Sequence, residues 1–236
     1  MKTKTLFLAF FSLVLLSFFL IQYGCKKEDK HNPIGGEPCP GTPTVIDAGG
    51  NVYNTVLIGD QCWMKENLKL GTTIHSFEVM QDNGTIERYC LNDEEAKCEE
   101  YGGLYKWNEM MQYTTQEGVQ GICPEGWHLP SDDEWCTLTT YIDSTVYCYT
   151  VGASGTNIGY KMKSTSGWYS NRNGSDAYGF KALPCWLYFP GEITYFWSSS
   201  EHISNRVWYR NIDISDFIRR GYASKDNSFS VRCVKD

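Results

Sequence analysis

Apolar and polar positions divide the chain into stretches of different period. From Leu6 to Ile21, Leu, Phe, Val, Ala and Ile run almost unbroken, with only Ser12 and Ser17 between them. Residues 37 to 69 read as β structure. Gly49-Gly50-Asn51 makes a turn, Val52 to Ile58 is rich in β-branched and aromatic residues, and Gly59-Asp60 turns the chain again into Cys62-Trp63-Met64. Asp82-Asn83-Gly84, between Phe77–Met80 and Thr85–Tyr89, predicts a hairpin, because Asn-Gly supplies the positive φ angles of a tight turn. The period changes at Ser131. Ser131-Asp132-Asp133-Glu134 has the form of a capping box, and Trp135, Leu138 and Ile142 then recur at helical spacing. The three acids sit where the helix dipole favours negative charge, which accounts for them without a metal. Ser154 to Ser175 is rich in Gly, Ser, Thr and Asn and predicts loop. Val207-Trp208-Tyr209, Phe217-Ile218 and the alternating Phe229, Val231 and Cys233 predict a return to strands. Short strands separated by polar turns fit an antiparallel sheet, and no internal repeat or second hydrophobic segment is present.

The first apolar run follows Met1-Lys2-Thr3-Lys4 and ends at Gln22-Tyr23-Gly24-Cys25. It is shorter than the roughly 20 residues of a membrane-spanning helix and follows a basic start, so it predicts a cleaved signal peptide. Gly24 before Cys25 resembles the lipobox of bacterial lipoproteins, in which the thiol receives a diacylglycerol before cleavage. Gln22 departs from the Leu, Val or Ile of that pattern, and the alternative is an ordinary signal peptide whose Cys25 pairs or stays free. Lys26 to Gly36 is charged, then Gly- and Pro-containing, with nothing to bury; it predicts a solvated tether. The charged cluster after Cys25 also resembles the surface-export tags of some Gram-negative lipoproteins. The expected organisation is a signal peptide over 1–24, a tether over 25–38 and one domain over 39–236. The expected location is the outer membrane, lipid-anchored and facing outward.

Cleavage would remove Lys2 and Lys4 and take the formal charge from −7 to −9. An acidic balance without a basic run argues against nucleic acid as a partner. Nine cysteines remain beside Cys25, and in an exported chain they read first as a disulfide framework. No CxxC occurs, and the four histidines lack HxH or HExxH spacing, so no zinc, other metal or cofactor is expected. Cys90 with Cys98, and Cys136 with Cys148, would close short local loops, although sequence alone leaves the connectivity open. An odd number leaves at least one thiol free or paired between chains.

From Ile122-Cys123-Pro124-Glu125-Gly126-Trp127-His128-Leu129-Pro130-Ser131 to Trp135 the chain resembles the Fibrobacter succinogenes major paralogous domain, a family common among bacterial surface and secreted lipoproteins. Seven further blocks recur in order. They include Gly50 to Val56, Ile58-Gly59-Asp60-Gln61-Cys62-Trp63-Met64-Lys65-Glu66-Asn67-Leu68, Tyr101 to Trp107, Phe196-Trp197-Ser198-Ser199-Ser200-Glu201 and Phe229 to Val234. The resemblance implies an α+β fold: a single C-type-lectin-like domain, also similar to formylglycine-generating enzymes, with antiparallel strands, few helices and a last strand that returns near the domain's start. It also implies the pairs Cys123–Cys233, Cys39–Cys62, Cys90–Cys98 and Cys136–Cys148, leaving Cys185 over. Ala182-Leu183-Pro184-Cys185-Trp186-Leu187-Tyr188 stands where the family usually carries Gly-Gly and a Tyr-Arg pair, so this chain gains bulk there.

The expected function is a non-catalytic binding or adhesion module at the cell surface, with a glycan or a surface protein as partner and the lipid as membrane anchor. Trp186, Tyr188, Tyr195 and Trp197 are the candidate ligand-binding residues, since flat aromatic faces stack on sugar rings or anchor protein contacts; taken singly, each ring is read first as core, given the apolar area it can bury. An alternative is a structural envelope or pilus-assembly component. Another is an oxidase like the formylglycine-generating enzymes, which use two late cysteines with copper; here Cys185 and Cys233 are 48 residues apart. No GxSxG elbow nominates a nucleophile, and Glu192 with Glu201 would form a glycosidase pair only if they faced each other. No catalytic residue is assigned.

Overall fold

Asp47 organises the first turn. Its carboxylate accepts the backbone N–H groups of Gly49 and Asn51 and the hydroxyl of Tyr53, reversing the chain between β1 (Thr44–Ile46) and β2 (Val52–Ile58). Gly59, at φ 63°, then turns β2 into β3 (Gln61–Met64), and the three strands form an antiparallel meander. These relations come from a computed structural model, which describes residues 36–236. The expected signal peptide over 1–24, Cys25 and most of the expected tether lie outside the described residues. Among the described residues no helix is long and apolar enough to cross a membrane.

The end of the expected tether does belong to the folded unit. Glu37 bridges Leu57, whose N–H donates to Glu37 O at 2.8 Å, and Gly36 packs so tightly on Val56 and Tyr178 that a Cβ would clash. A flexible composition did not reveal that β2, beyond the three residues paired with β1, offers Glu37 a backbone partner at Leu57.

Beyond β3 the chain departs from the predicted hairpin. Thr72–Thr73 (β4) pairs in parallel with Glu87–Arg88 (β5), and no strand forms over Phe77–Met80. The Asn-Gly turn is present, but its loop is tied by side chains: Glu87 accepts from the Gln81 N–H and the Asn83 amide, and Asn83 accepts from the Thr85 N–H. Phe77 and Val79 are 79% and 60% exposed, so the alternation that suggested a strand has no buried face to serve.

The remaining elements are α1 (Glu95–Tyr101), β6 (Leu104–Lys106), α2 (Trp107–Met110), β7 (Trp127–His128) and α3 (Asp132–Ile142). Then come β8 (Gly152–Ser154) and α4 (Ile158–Met162), a short helix inside the stretch expected to be loop. β9 (Ile193–Ile203), β10 (Arg206–Asp213), β11 (Ile218–Ser224), β12 (Ser228–Ser230) and β13 (Val234–Lys235) complete the chain. The larger sheet runs β6-β12-β9-β10-β11-β8, and β13 returns to insert between β3 and β7 in the first sheet. Mostly antiparallel sheets with few helices make the fold α+β.

α3 follows its sequence signature closely. Ser131 accepts the Glu134 N–H while Glu134 accepts the Ser131 N–H, and Trp135, Leu138 and Ile142 turn inward. Trp135 packs 4.9 Å from Trp63 and 5.5 Å from Phe196, joining helix and both sheets in one core. Three buried indoles here also find backbone acceptors: Trp135 donates to Trp197 O, Trp107 to Ser198 O and Trp197 to Tyr105 O. Among the described residues four disulfides staple the fold, Cys39–Cys62, Cys90–Cys98, Cys123–Cys233 and Cys136–Cys148, the same pairs that the family resemblance implies.

Candidate functional site

β9 carries alternate residues to opposite faces, and one face roots a chain of aromatic rings. Trp197 lies 4.2 Å from Phe229, Phe229 stacks 4.5 Å from Tyr195, and Tyr195 sits 5.0 Å from Trp186. Trp186 in turn stacks on Phe189 at 5.4 Å and meets the edge of Tyr188 at 5.1 Å. The rings therefore run from the core to solvent, ending at Tyr188 and Phe189, which are 74% and 53% exposed. Tyr209 braces the middle of the row, edge-on to Tyr195 at 5.3 Å. Its own ring occupies the space above Gly221, its partner in β11, where any Cβ would collide with it.

Of the four aromatics expected to bind ligand, Tyr188 is exposed, Trp186 and Tyr195 are half-buried, and Trp197 is core. Trp197 is 1% exposed with its N–H spent on Tyr105 O, so it supports the ledge from beneath and cannot touch a ligand. Phe189, which the sequence did not single out, completes the exposed end. Its neighbours Tyr188 and Pro190 mark a loop, but nothing in the local pattern says that its ring stays outside.

Tyr188 also walls a notch of about 300 Å³ with Leu187, Ser76, Asn92 and Asp93. Asp93 Oδ1 accepts the Ser76 N–H at 2.8 Å and Oδ2 accepts the Ser76 hydroxyl at 3.1 Å. Asn92 and Asp93 both lie in the left-handed region, at φ 58° and 59°. Two consecutive such residues without glycine are strained, and the Cys90–Cys98 bridge and α1 bracket them. The opposite wall is held by Cys185, which is buried among Met80, Tyr89, Leu91 and Leu104, with Leu187 packed beside it. Burial pushes the Cys185 thiol up to about 12, against a lowering hydrogen bond from Ser230, so it stays protonated and serves as an apolar plug. This is what the bulk at the atypical position does: it pins the root of the ledge loop.

Other polar groups are consumed by the fold. Asp132, expected only to complement the helix dipole, is buried between Arg210 and Arg220, accepting at 2.6 Å and 2.7 Å. Arg210 also reaches the carbonyls of Asp132 and Cys148, and Arg220 that of Tyr149. Arg232 is fully buried, donating to Asn67 Oδ1 and to the carbonyls of Met64, Phe180 and Lys181; burial lowers its guanidinium to about 10. Sequence patterning treats such arginines as strand surface, and the alternation of Arg232 with Phe229, Val231 and Cys233 points the same way, although Arg232 is buried. His128 bridges Glu134 at 2.7 Å and Asp236 at 2.5 Å, and the hydrogen bond to Glu134 raises its pKa. Glu134 is pushed up by burial but pulled below its usual value by His128 and Ser131.

Two pairs weighed from the sequence are not brought together among the described residues. Cys233 is bonded to Cys123, so Cys185 and Cys233 are not a thiol pair. Glu192 precedes β9 and Glu201 lies near its far end, which at about 3.3 Å per residue sets them roughly 30 Å apart. A glycosidase pair needs about 5 to 10 Å. Glu201 is instead ion-paired with Lys225.

Among known proteins, residues 56–235 match the model of a family described as the Fibrobacter succinogenes major domain. No curated protein and no solved structure matches the chain.

Proposed function

Since the chain belongs to the Fibrobacter succinogenes major domain family, we propose that it is an exported surface lipoprotein whose domain is a non-catalytic binding module that takes a glycan across the aromatic ledge. The observation that carries this reading is the outward end of the ring row beside a polar notch. Exposed Tyr188 and Phe189 present apolar faces of the kind that stack on a pyranose, and Asp93, Asn92 and Ser76 offer hydrogen-bonding groups within reach of the same side chain. The rigid root at Trp186, Tyr195 and Phe229 supports a pre-organised platform, which lowers the entropic cost of binding. The return of β13 to the first sheet is consistent with a C-type-lectin-like arrangement, the finer form of the fold that we propose with it. Outer-membrane anchoring through Cys25 rests on the sequence of the leader and the lipobox-like junction.

Glycan-array binding by the mature protein tests the reading. Binding that Tyr188→Ala abolishes is the expected result, and no binding to any saccharide would remove it. The intact mass of membrane-extracted protein tests the anchor separately: a diacylated Cys25 is expected, and an unmodified one would contradict it.

A further inference from the structure

We propose that the notch beside Tyr188 reads a vicinal pair of hydroxyls on a neutral or amine-bearing pyranose through Asp93, and rejects carboxylated sugars; this rests on the glycan-binding reading of the ledge. A carboxylate offers about four lone-pair sites. Ser76 takes one on each Asp93 oxygen, through its N–H and its hydroxyl, which fixes the plane of the carboxylate and leaves one site per oxygen. Two remaining acceptors on one rigid carboxylate suit two adjacent O–H donors. The Ser76 hydroxyl, donating to Asp93, keeps its own lone pairs for a ligand hydroxyl, and the Asn92 side-chain amide makes no hydrogen bond among the described residues.

Charge sets the class of sugar. No cation lines the notch: its walls are Ser76, Asn92, Asp93, Leu187 and Tyr188. Basic groups of the surrounding segments are engaged elsewhere, Arg88 with Glu95 and Lys97 with Glu100. His75 approaches Asp93 only to 3.9 Å, and its ring stacks on Phe77. A carboxylated sugar would set its charge against Asp93 without a partner, whereas an ammonium would be attracted. The carboxylate's geometry is held independently by the Cys90–Cys98 bracket and the left-handed backbone at Asn92 and Asp93.

The test is an array of matched glycans differing only in the terminal ring, hexose, hexosamine or hexuronate, probed with full-length mature protein and with Asp93→Asn and Tyr188→Ala. Hexose and hexosamine termini are expected to bind at least about tenfold better than hexuronate, the scale of a hydrogen bond to a charged group. Asp93→Asn, which keeps one acceptor oxygen, is expected to shrink that ratio several-fold, while Tyr188→Ala abolishes binding to all three together. Equal or tighter binding of hexuronate, or a ratio unmoved by Asp93→Asn, would overturn the inference and leave the glycan reading standing. Absence of binding to every glycan would overturn both.

Discussion

The seam between α3 and the larger sheet and the notch beside Tyr188 each centre on one aspartate, and they use it in opposite ways. Asp132 is buried and saturated: two arginines hold its carboxylate, Ser200 accepts its N–H, and the arginines' other donors end on carbonyls. The Asp93 carboxylate accepts hydrogen bonds from Ser76 alone, with His75 3.9 Å away, and faces a hollow. A saturated charge in the interior fixes how elements pack and has nothing left for a ligand. A half-used charge at an aromatic surface adds little to packing and keeps acceptors free. The difference teaches that residue type does not separate framework from candidate site here; spare hydrogen-bonding capacity does.

Perturbing each side should break the comparison differently. The largest effect is expected from the Cys123–Cys233 bridge, which spans 110 residues and ties the approach to α3 to the chain beside β13; replacing both cysteines by serine should cost about 4–5 kcal/mol in denaturant unfolding. Asp132→Ala leaves Arg210 and Arg220 buried without their carboxylate and should cost about 3–5 kcal/mol. By contrast Cys90–Cys98 spans 8 residues, so its loss should cost about 2–3 kcal/mol while weakening glycan binding, because Asn92 and Asp93 are freed to relax. Equal losses for the two bridges would show that loop entropy does not govern them.

A smaller effect is set by pH. The pKa of His128 is raised in the folded state by Glu134 and Asp236, so its contribution to stability is full below the unfolded value near 6.5 and is lost as pH rises through the higher folded value. Glu134 works in the other direction: its contribution is present above the usual glutamate value and fades as pH falls through its lowered one. Thermal melts across pH should show His128→Gln removing the alkaline-side decline while leaving glycan binding unchanged.

The framework was legible where one signal ruled alone. The capping box at Ser131 and the period of Trp135, Leu138 and Ile142 placed α3, and the β-branched run at Val52–Ile58 placed β2. The hairpin at Asp82-Asn83-Gly84 failed because a turn signal is local, whereas a strand needs a partner and a buried face, and β4 took the available edge. Asp132 was half-read: its place in the first helical turn fits the dipole, but Arg210 and Arg220 come from strands 78 and 88 residues away. For the site, aromatic composition pointed to Trp186, Tyr188 and Tyr195 but also to Trp197, since a sequence shows that rings are near one another in the chain and not which way β9 turns them. Ser76, Asn92 and Asp93 carried no signal, because only folding brings their segment against Tyr188.

The smallest effect on stability should accompany the largest effect on binding. Tyr188 is mostly exposed, so Tyr188→Ala should change unfolding free energy by less than about 0.5 kcal/mol. Titrating the mature protein and this variant with the best array glycan is the most direct measurement: the account predicts saturable binding that disappears in the variant at unchanged melting temperature. Binding that survives Tyr188→Ala undiminished would contradict it.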